Sequence, residues 1–215
     1  MTKFITFEGP EGAGKSTQIQ LLTDYLTERG FAVHTTREPG GTAIGDQIRA
    51  VLHDIRNTEM DAVAEILLYS ASRAQLVAQV IKPMLAAGTM VLCDRYADST
   101  FAYQGYGRGL DLDMLRQITA FATRELTPDL TIYLDLPVEE GIRRKQIANQ
   151  AGEGELNRMD RQEIDFYRRV RNGYLTLAAA EPDRWLIVDA RQSIAAIQRE
   201  IRARLAGWGI APANG

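Results

Sequence analysis

The sequence predicts an α/β fold, and three observations predict it. Five short runs rich in β-branched and aromatic residues alternate with longer stretches of helical spacing. Gly30 and Gly88 follow helical stretches, while Asp61 and Ser193 stand where helix N-caps are expected. A glycine-rich segment, Gly9–Ser16, joins the first run to the first helical stretch. Alternation of this kind implies parallel strands joined by right-handed crossovers.

The elements follow in chain order. Phe4–Phe7 is the first strand and Lys15–Arg29 the helix after the glycine-rich turn. Ala32–Thr36 is the second strand, followed by helices Ala43–Leu52 and Asp61–Ala87 and by the third strand, Met90–Cys93. Helix Leu112–Thr123, strand Thr131–Leu134, helix Ile164–Ala179, strand Trp185–Val188 and helix Ser193–Leu205 complete the chain. Two stretches break the rhythm. Ala148–Glu155 is polar and glycine-bearing, flanked by Arg143, Arg144, Lys145 and Arg158, and reads as a mobile loop. Gly209–Gly215 reads as a frayed tail. Without a proline- or serine-rich linker or an internal repeat, a single domain over residues 1–215 is expected.

Composition narrows the class. The 215 residues, 45% hydrophobic and 25% charged, suffice to bury a core without disulfides or structural metal. Cys93 is the single cysteine, which excludes an intrachain disulfide and points to a reducing, cytoplasmic compartment. The 2 histidines, His34 and His53, are too few for a histidine-rich metal cluster. With 25 basic and 28 acidic residues the net charge is −3, which argues against a nucleic-acid binder. Lys82 and Asp94 bound a short uncharged run, well below the ~20 residues a membrane-spanning helix needs. Glu8 interrupts what would be a signal peptide's apolar region.

Gly9-Pro-Glu-Gly-Ala-Gly-Lys-Ser16 fits the spacing GxxxxGK[ST], which arises by chance in such a chain on the order of one time in a hundred. Glycines let successive backbone N–H groups turn inward around phosphates, and the helix N-terminus adds its dipole. Gly9, Pro10, Glu11, Gly12, Ala13, Gly14, Lys15, Ser16 and Thr17 are therefore the candidate triphosphate-binding residues. Lys15 would reach the outer phosphates and Ser16 would ligate Mg²⁺. A glycine-rich turn with a surface lysine is the bland alternative. The chain has no Asn-Lys-x-Asp guanine motif, and its third strand runs into Asp94-Arg95-Tyr96 instead of Asp-Glu. Arginine cannot activate water but can hold a second phosphate bidentately, which points to phosphoryl transfer over hydrolysis. Asp94 is placed to act on Mg²⁺, directly or through water, and a structural salt bridge is the bland alternative for Arg95.

Several segments together resemble the bacterial thymidylate kinases, members of the P-loop nucleoside monophosphate kinase superfamily. They are Thr6–Thr17, Thr36–Thr42, Asp94–Gly105, Gly107–Gly109, Leu134–Leu136 and Phe166–Arg171, spread over nearly the whole chain in the expected order. The resemblance implies a three-layer P-loop kinase fold: a five-stranded parallel sheet flanked by helices, with a small mobile lid at about residues 143–160. It implies transfer of the γ-phosphoryl group of ATP to dTMP, giving dTDP and ADP for dTTP synthesis, with Mg²⁺ and in a homodimer. Another P-loop nucleoside monophosphate kinase or a deoxynucleoside kinase is the nearest alternative. A DNA-handling ATPase is a more distant one.

The same resemblance distributes roles over single residues. Tyr69 and Arg73 stand four apart on one helix, so they share a face. Spacing alone favours a core tyrosine and a solvated arginine; the resemblance implies stacking on thymine by Tyr69 and a bond to its O4 from Arg73. Thr100 and Gln104 offer hydrogen bonds to the base, and Tyr103 by resemblance crowds the sugar 2′ position. With Ser99 these residues could equally cap a helix or fill a turn. Glu11 is implied to hold the acceptor 3′-hydroxyl, and Arg37 and Arg95 its 5′-phosphate. Pro39 falls in a non-helical turn lining the acceptor site, where a cis bond is accessible, and Arg49 is a further candidate for the phosphate.

An acceptor phosphate is already ionised at neutral pH, so no strong base is needed; the difficulty is bringing two anions together. Lys15, Mg²⁺, Arg95 and lid arginines would supply the positive charge, and lid closure would exclude water. The resemblance is to the subtype whose lid supplies the arginine, yet Gln146–Leu156 contains none. Arg143 and Arg144 are the candidate catalytic donors, with Lys145 and Arg158 as alternatives and a solvated basic face as the bland reading. Glu163 is a candidate to assist metal or sugar. Arg168, Arg169 and Arg171 read as a solvated or lid-supporting face.

Overall fold

Five parallel strands form the sheet: β1 Phe4–Glu8, β2 Val33–Arg37, β3 Met90–Asp94, β4 Leu130–Asp135 and β5 Trp185–Asp189. Their spatial order is β2-β3-β1-β4-β5. The computed structural model describes residues 2–151, 158 and 162–210. Residues 152–157 and 159–161 of the expected lid, and 211–215 of the expected tail, lie outside the described residues. Each strand ends one residue later than the apolar pattern suggests, and that residue is charged every time: Glu8, Arg37, Asp94, Asp135 and Asp189. Apolar periodicity stops at these side chains because they stand at the carboxyl edge of the sheet, where open α/β sheets bind ligands.

Alternation along the strands builds two packed faces. Ile5 and Phe7 pack with Leu22 and Leu26 of α1 (Lys15–Thr27) and with Ile201 and Leu205 of α9 (Ile194–Ala206). On the opposite face Phe4, Val91 and Cys93 meet Leu76, Val77 and Ile81. Tyr133 on that face meets Phe166, Val170 and Tyr174 of α8 (Ile164–Ala180). Burying each such side chain contributes about 1.5–3 kcal/mol. The result is helix, sheet and helix in three layers.

The expected helix Asp61–Ala87 is not one regular helix. Asp61 caps α3 (Ala62–Leu76) by accepting the Val63 N–H, then Val77–Ile81 widens into a π-helical stretch before the short α4 (Lys82–Ala86). Pro83 has no N–H to return to the preceding turn and crowds it, which accounts for a break at this place. Helix α2 (Ala43–His53) and helix α6 (Leu112–Thr123) follow expectation.

Three helical elements, in two places, lie beyond those expected. After β3 comes α5 (Ala97–Thr100) and a second π-helical stretch, Phe101–Gly107. A side chain at Gly107 would come within 2.7 Å of the Phe166 ring, so glycine is what lets α8 press against this stretch. Helix α7 (Val138–Gln150) occupies the first half of the expected lid, which corrects the reading of Ala148–Glu155 as loop: the helix continues to Gln150. Its stability is electrostatic and local more than apolar. Glu139 and Glu140 lie in its first turn, and Glu140 pairs with Arg143 and Arg144 at 2.8 Å each. No described helix is long and apolar enough to cross a membrane.

Candidate active site

The register pairs Phe7 with Asp94 and Arg37 with Asp94, so β1, β2 and β3 end at one level. The loops leaving them open into a cleft of about 740 Å³. Glu11, Arg37, Pro39, Arg49, Tyr69, Arg73, Arg95, Ser99, Thr100, Tyr103 and Gln104, every expected acceptor residue, line it. Gly12, Gly14, Lys15, Ser16, Thr17 and Asp94 line it too. Gly9, Pro10 and Ala13 do not: Ala13 is packed into the core, and Pro10 borders a neighbouring cavity of about 310 Å³.

At the end formed by the glycine-rich loop, the buried Lys15 Nζ donates to the carbonyls of Gly9 (3.2 Å) and Pro10 (3.1 Å). Burial and then Arg95 lower its pKa, while Asp94, Glu11 and Glu8 oppose them. Asp94 Oδ1 is buried with no hydrogen-bond partner among the described residues. An orphaned carboxylate oxygen in the cleft that Ser16 also lines suits a hard cation that takes its other ligands from phosphates and water. Among the described residues no group of three or more His, Cys, Asp or Glu could hold a metal alone. Glu11 stays anionic, its pKa pulled down to about 2 chiefly by Lys15, with Arg95 and Lys145 adding to it.

Arg95 joins the two ends of the cleft. Its backbone is left-handed (φ 67), a conformation that costs a residue with a Cβ roughly 1–2 kcal/mol. The guanidinium lies 3.5 Å from Glu11, 3.9 Å from Glu8 and 5.1 Å from the Tyr103 ring centre. Glu8 holds this turn: its Oε1 accepts the N–H of Tyr96, the next residue, at 2.9 Å. Its Oε2 accepts the hydroxyls of Ser99 and Tyr174 at 2.6 Å each. Burial pushes the Glu8 carboxyl up to about 7 even though Arg95 opposes it. Sequence reasoning missed Glu8, although an acid closing the strand before a phosphate loop, in step with inward Phe4 and Thr6, was a usable signal.

Arg73 is not solvated; it is 1% exposed. Its Nε donates to Glu38 Oε2 at 2.7 Å, Nη1 to Thr100 Oγ1 at 2.8 Å and Nη2 to the Tyr96 carbonyl at 3.1 Å. Burial raises the Glu38 pKa and Arg73 opposes the rise. The Glu38–Pro39 bond is cis, as the turn allowed, and the turn is tied down by Ser72 and Arg49. Arg37 is exposed, with Asp46 at 3.5 Å. Behind the cleft, the buried Glu65 accepts from Gln104 Nε2 (2.9 Å) and from Arg108 Nε (2.7 Å) and Nη2 (2.8 Å). It also pairs with Arg158, which donates in addition to the Leu52 carbonyl. Arg158 is thus a buried anchor and not the lid cation that its position in the sequence allowed.

Helix α7 separates the remaining candidates. Arg143 does not line the cleft: it is exposed and doubly bonded to Glu140 at 2.8 Å, so the structure does not bring this candidate donor to the phosphate loop. Arg144 lies behind the phosphate loop, donating to the carbonyls of Ala190 (3.1 Å) and Gly12 (3.4 Å). A side chain at Gly12 would meet the Arg144 Cβ at 2.9 Å, so a glycine is required there. Lys145, next in the chain and turned by one helical step, lines the cleft. Glu163, exposed at the start of α8, does not line it. Arg168 pairs with Glu139 and Asp165, Arg169 bonds the Gly107 carbonyl and Arg171 grips Asp135, so all three brace helices.

Comparison with known proteins gives one answer from three directions. The family model described as Thymidylate kinase matches residues 7–201. A thymidylate kinase of Roseiflexus sp. (strain RS-1) is 55% identical over 210 residues, covering 94% of this chain and 93% of the relative. One of Deinococcus radiodurans is 50% identical over 206 residues, covering 96% and 97%. The crystal structure of thymidylate kinase from Ehrlichia chaffeensis superposes with a TM-score of 0.77 at 31% identity, over 95% of this chain and 98% of the other.

Proposed function

The chain belongs to the thymidylate kinase family, and from that premise we propose how its residues divide the work. It is a phosphotransferase that passes the γ-phosphoryl group of ATP to dTMP. What supports the division is a single observation: the phosphate loop and the Tyr69, Arg73 and Gln104 wall line one cleft, with Arg95 between them. The loop N–H groups and Lys15 take the triphosphate. Ser16 and Asp94 would hold Mg²⁺, which when bound neutralises charge on the donor phosphates. Arg95, Arg37 and Arg49 take the acceptor 5′-phosphate, and Glu11 takes the 3′-hydroxyl. Tyr69 stacks on the base, Arg73 and Thr100 bond its edge, and Tyr103 disfavours a ribose 2′-hydroxyl.

No group in this division abstracts a proton. Catalysis is alignment of two anions among cations, with Lys15 and Arg95 fixed and Lys145, backed by Arg144, approaching from helix α7. Closure of a lid at about 143–160 over a single domain would exclude water. A cytoplasmic setting fits the one cysteine, Cys93, being a buried free thiol. A homodimer fits the exposed Val63 and Leu67 of α3 and Met114 and Phe121 of the adjoining α6, an apolar surface that a second copy would cover. Phe121→Glu should then halve the mass seen by light scattering, whereas an unchanged mass removes this face from the dimer.

The decisive assay measures ADP release with dTMP, dUMP, UMP, dCMP, dGMP and AMP as acceptors. The highest kcat/KM is expected with dTMP, and UMP should fall below dUMP because of Tyr103. A cytosine or purine nucleotide that outran dTMP would overturn the division.

A further inference from the structure

Glu65 does not itself line the cleft, yet it is wholly buried against a residue that does. Its carboxylate accepts from Gln104, Arg108 and Arg158. An ionised carboxylate accepts hydrogen bonds and donates none. Burial favours protonation of Glu65, but the hydrogen bonds from Arg108, Gln104 and Arg158 outweigh it and hold the pKa below the ordinary carboxylate range. The amide of Gln104 must therefore turn its NH₂ toward Glu65. Its oxygen is left for the other side and bonds no described residue. Gln104 lines the cleft beside Thr100, Tyr103 and Arg73.

We propose that Glu65 is a positioning residue for base selection, acting by fixing the Gln104 amide so that its carbonyl oxygen faces the base. This rests on the reading, given above, that the base lies against Tyr69, Arg73 and Gln104. A fixed acceptor suits a pyrimidine that carries hydrogen on N3, as thymine and uracil do. Cytosine presents a bare N3, which would set acceptor against acceptor, and an amino group at C4 facing the donors of Arg73. Selection of a 4-keto pyrimidine thus runs through an anion that never meets it. A neutral amide at position 65 could accept either end of Gln104 and would release this constraint.

The test is Glu65→Gln, assayed for kcat/KM with dTMP and with dCMP and for the KM of ATP. The expected result is a roughly tenfold fall in the dTMP to dCMP ratio with the KM of ATP changed less than twofold. A ratio unchanged while both substrates lose activity together makes Glu65 a purely structural residue and overturns the proposal. If Glu65→Gln fails to fold, Glu65→Gln with Arg108→Met removes the anion and one of its two cations together, and the same ratio is read. Gln104→Leu separates the two possible failures. A ratio that collapses in Gln104→Leu but not in the Glu65 variants refutes the role of Glu65 alone. A ratio that survives Gln104→Leu shows that the base does not meet Gln104, and the underlying reading falls with the proposal.

Discussion

The phosphate loop and the wall proposed to bind the base line one cleft but are built on opposite plans. The loop is one continuous segment, proposed to act mainly through backbone N–H donors, and its lysine rests on its own carbonyls, Gly9 and Pro10. The wall is assembled from Glu38, Arg73, Thr100 and Gln104, drawn from three separate stretches and locked by a buried charge pair and buried hydrogen bonds. Phosphate is symmetric and can be recognised by a local backbone conformation. A base edge is not, and needs side chains fixed at set distances. Variants in the loop should therefore lose chemistry with little loss of stability, and variants in the wall should lose both.

The largest effects test that contrast directly. Arg73→Met leaves Glu38 buried without its cation, which should cost about 3–5 kcal/mol of unfolding free energy and raise the KM for dTMP far more than that for ATP. Urea unfolding and steady-state kinetics read the two effects. Lys15→Met should instead lower kcat about 10³-fold while the unfolding midpoint holds or rises, because burial already disfavours the charge that is removed. Equal destabilisation by the two variants would break the contrast.

The same difference decides what could be read without coordinates. The loop and the strands were legible because each depends on neighbours in sequence: glycine spacing in one case, short apolar runs in the other. The wall was legible only through family resemblance. Helical spacing placed Tyr69 and Arg73 on one face, but it also favoured a solvated arginine, and nothing in the spacing announced Glu38 as its partner 35 residues away. Glu8 was hidden because apolar periodicity ends on charged residues at the carboxyl edge of the sheet. Helix α7 was hidden because Glu140, Arg143 and Arg144 hold it by charge, with little apolar face to reveal it.

Glu8 stands on the seam between loop and wall, and pH reports on it. Its carboxyl titrates at about 7 in the folded protein against an ordinary 4.5, with Arg95, Asp98, Ser99 and Tyr174 around it. The folded state therefore holds a proton that the unfolded state releases between those values. The resulting stabilisation is complete below pH 4.5 and is lost as pH rises through 7, an effect on the order of 3 kcal/mol. Glu8→Gln cannot titrate, so its melting temperature relative to the parent should climb from pH 5 to 7.5 and then level off. A difference that stays constant, or declines, would mean that Glu8 is ionised throughout.

The smallest effect separates two cations two residues apart on α7, and so on nearly opposite faces of it. Arg143 is spent on Glu140 at the surface, so Arg143→Ala should change kcat less than twofold. Lys145 lines the cleft and helps to hold Glu11 anionic, so Lys145→Ala should lower kcat several-fold and raise the KM for dTMP, since Glu11 is assigned to the acceptor sugar. Raising the salt concentration sharpens the pair. Screening weakens the exposed Arg143 contact without touching turnover, whereas a cation working inside a closing cleft is screened less. If Arg143→Ala proved the more damaging, helix α7 would have to rotate by about two residues, roughly 160° the short way round, in the working enzyme, and the lid would belong with the wall, assembled by the fold, and not with the loop.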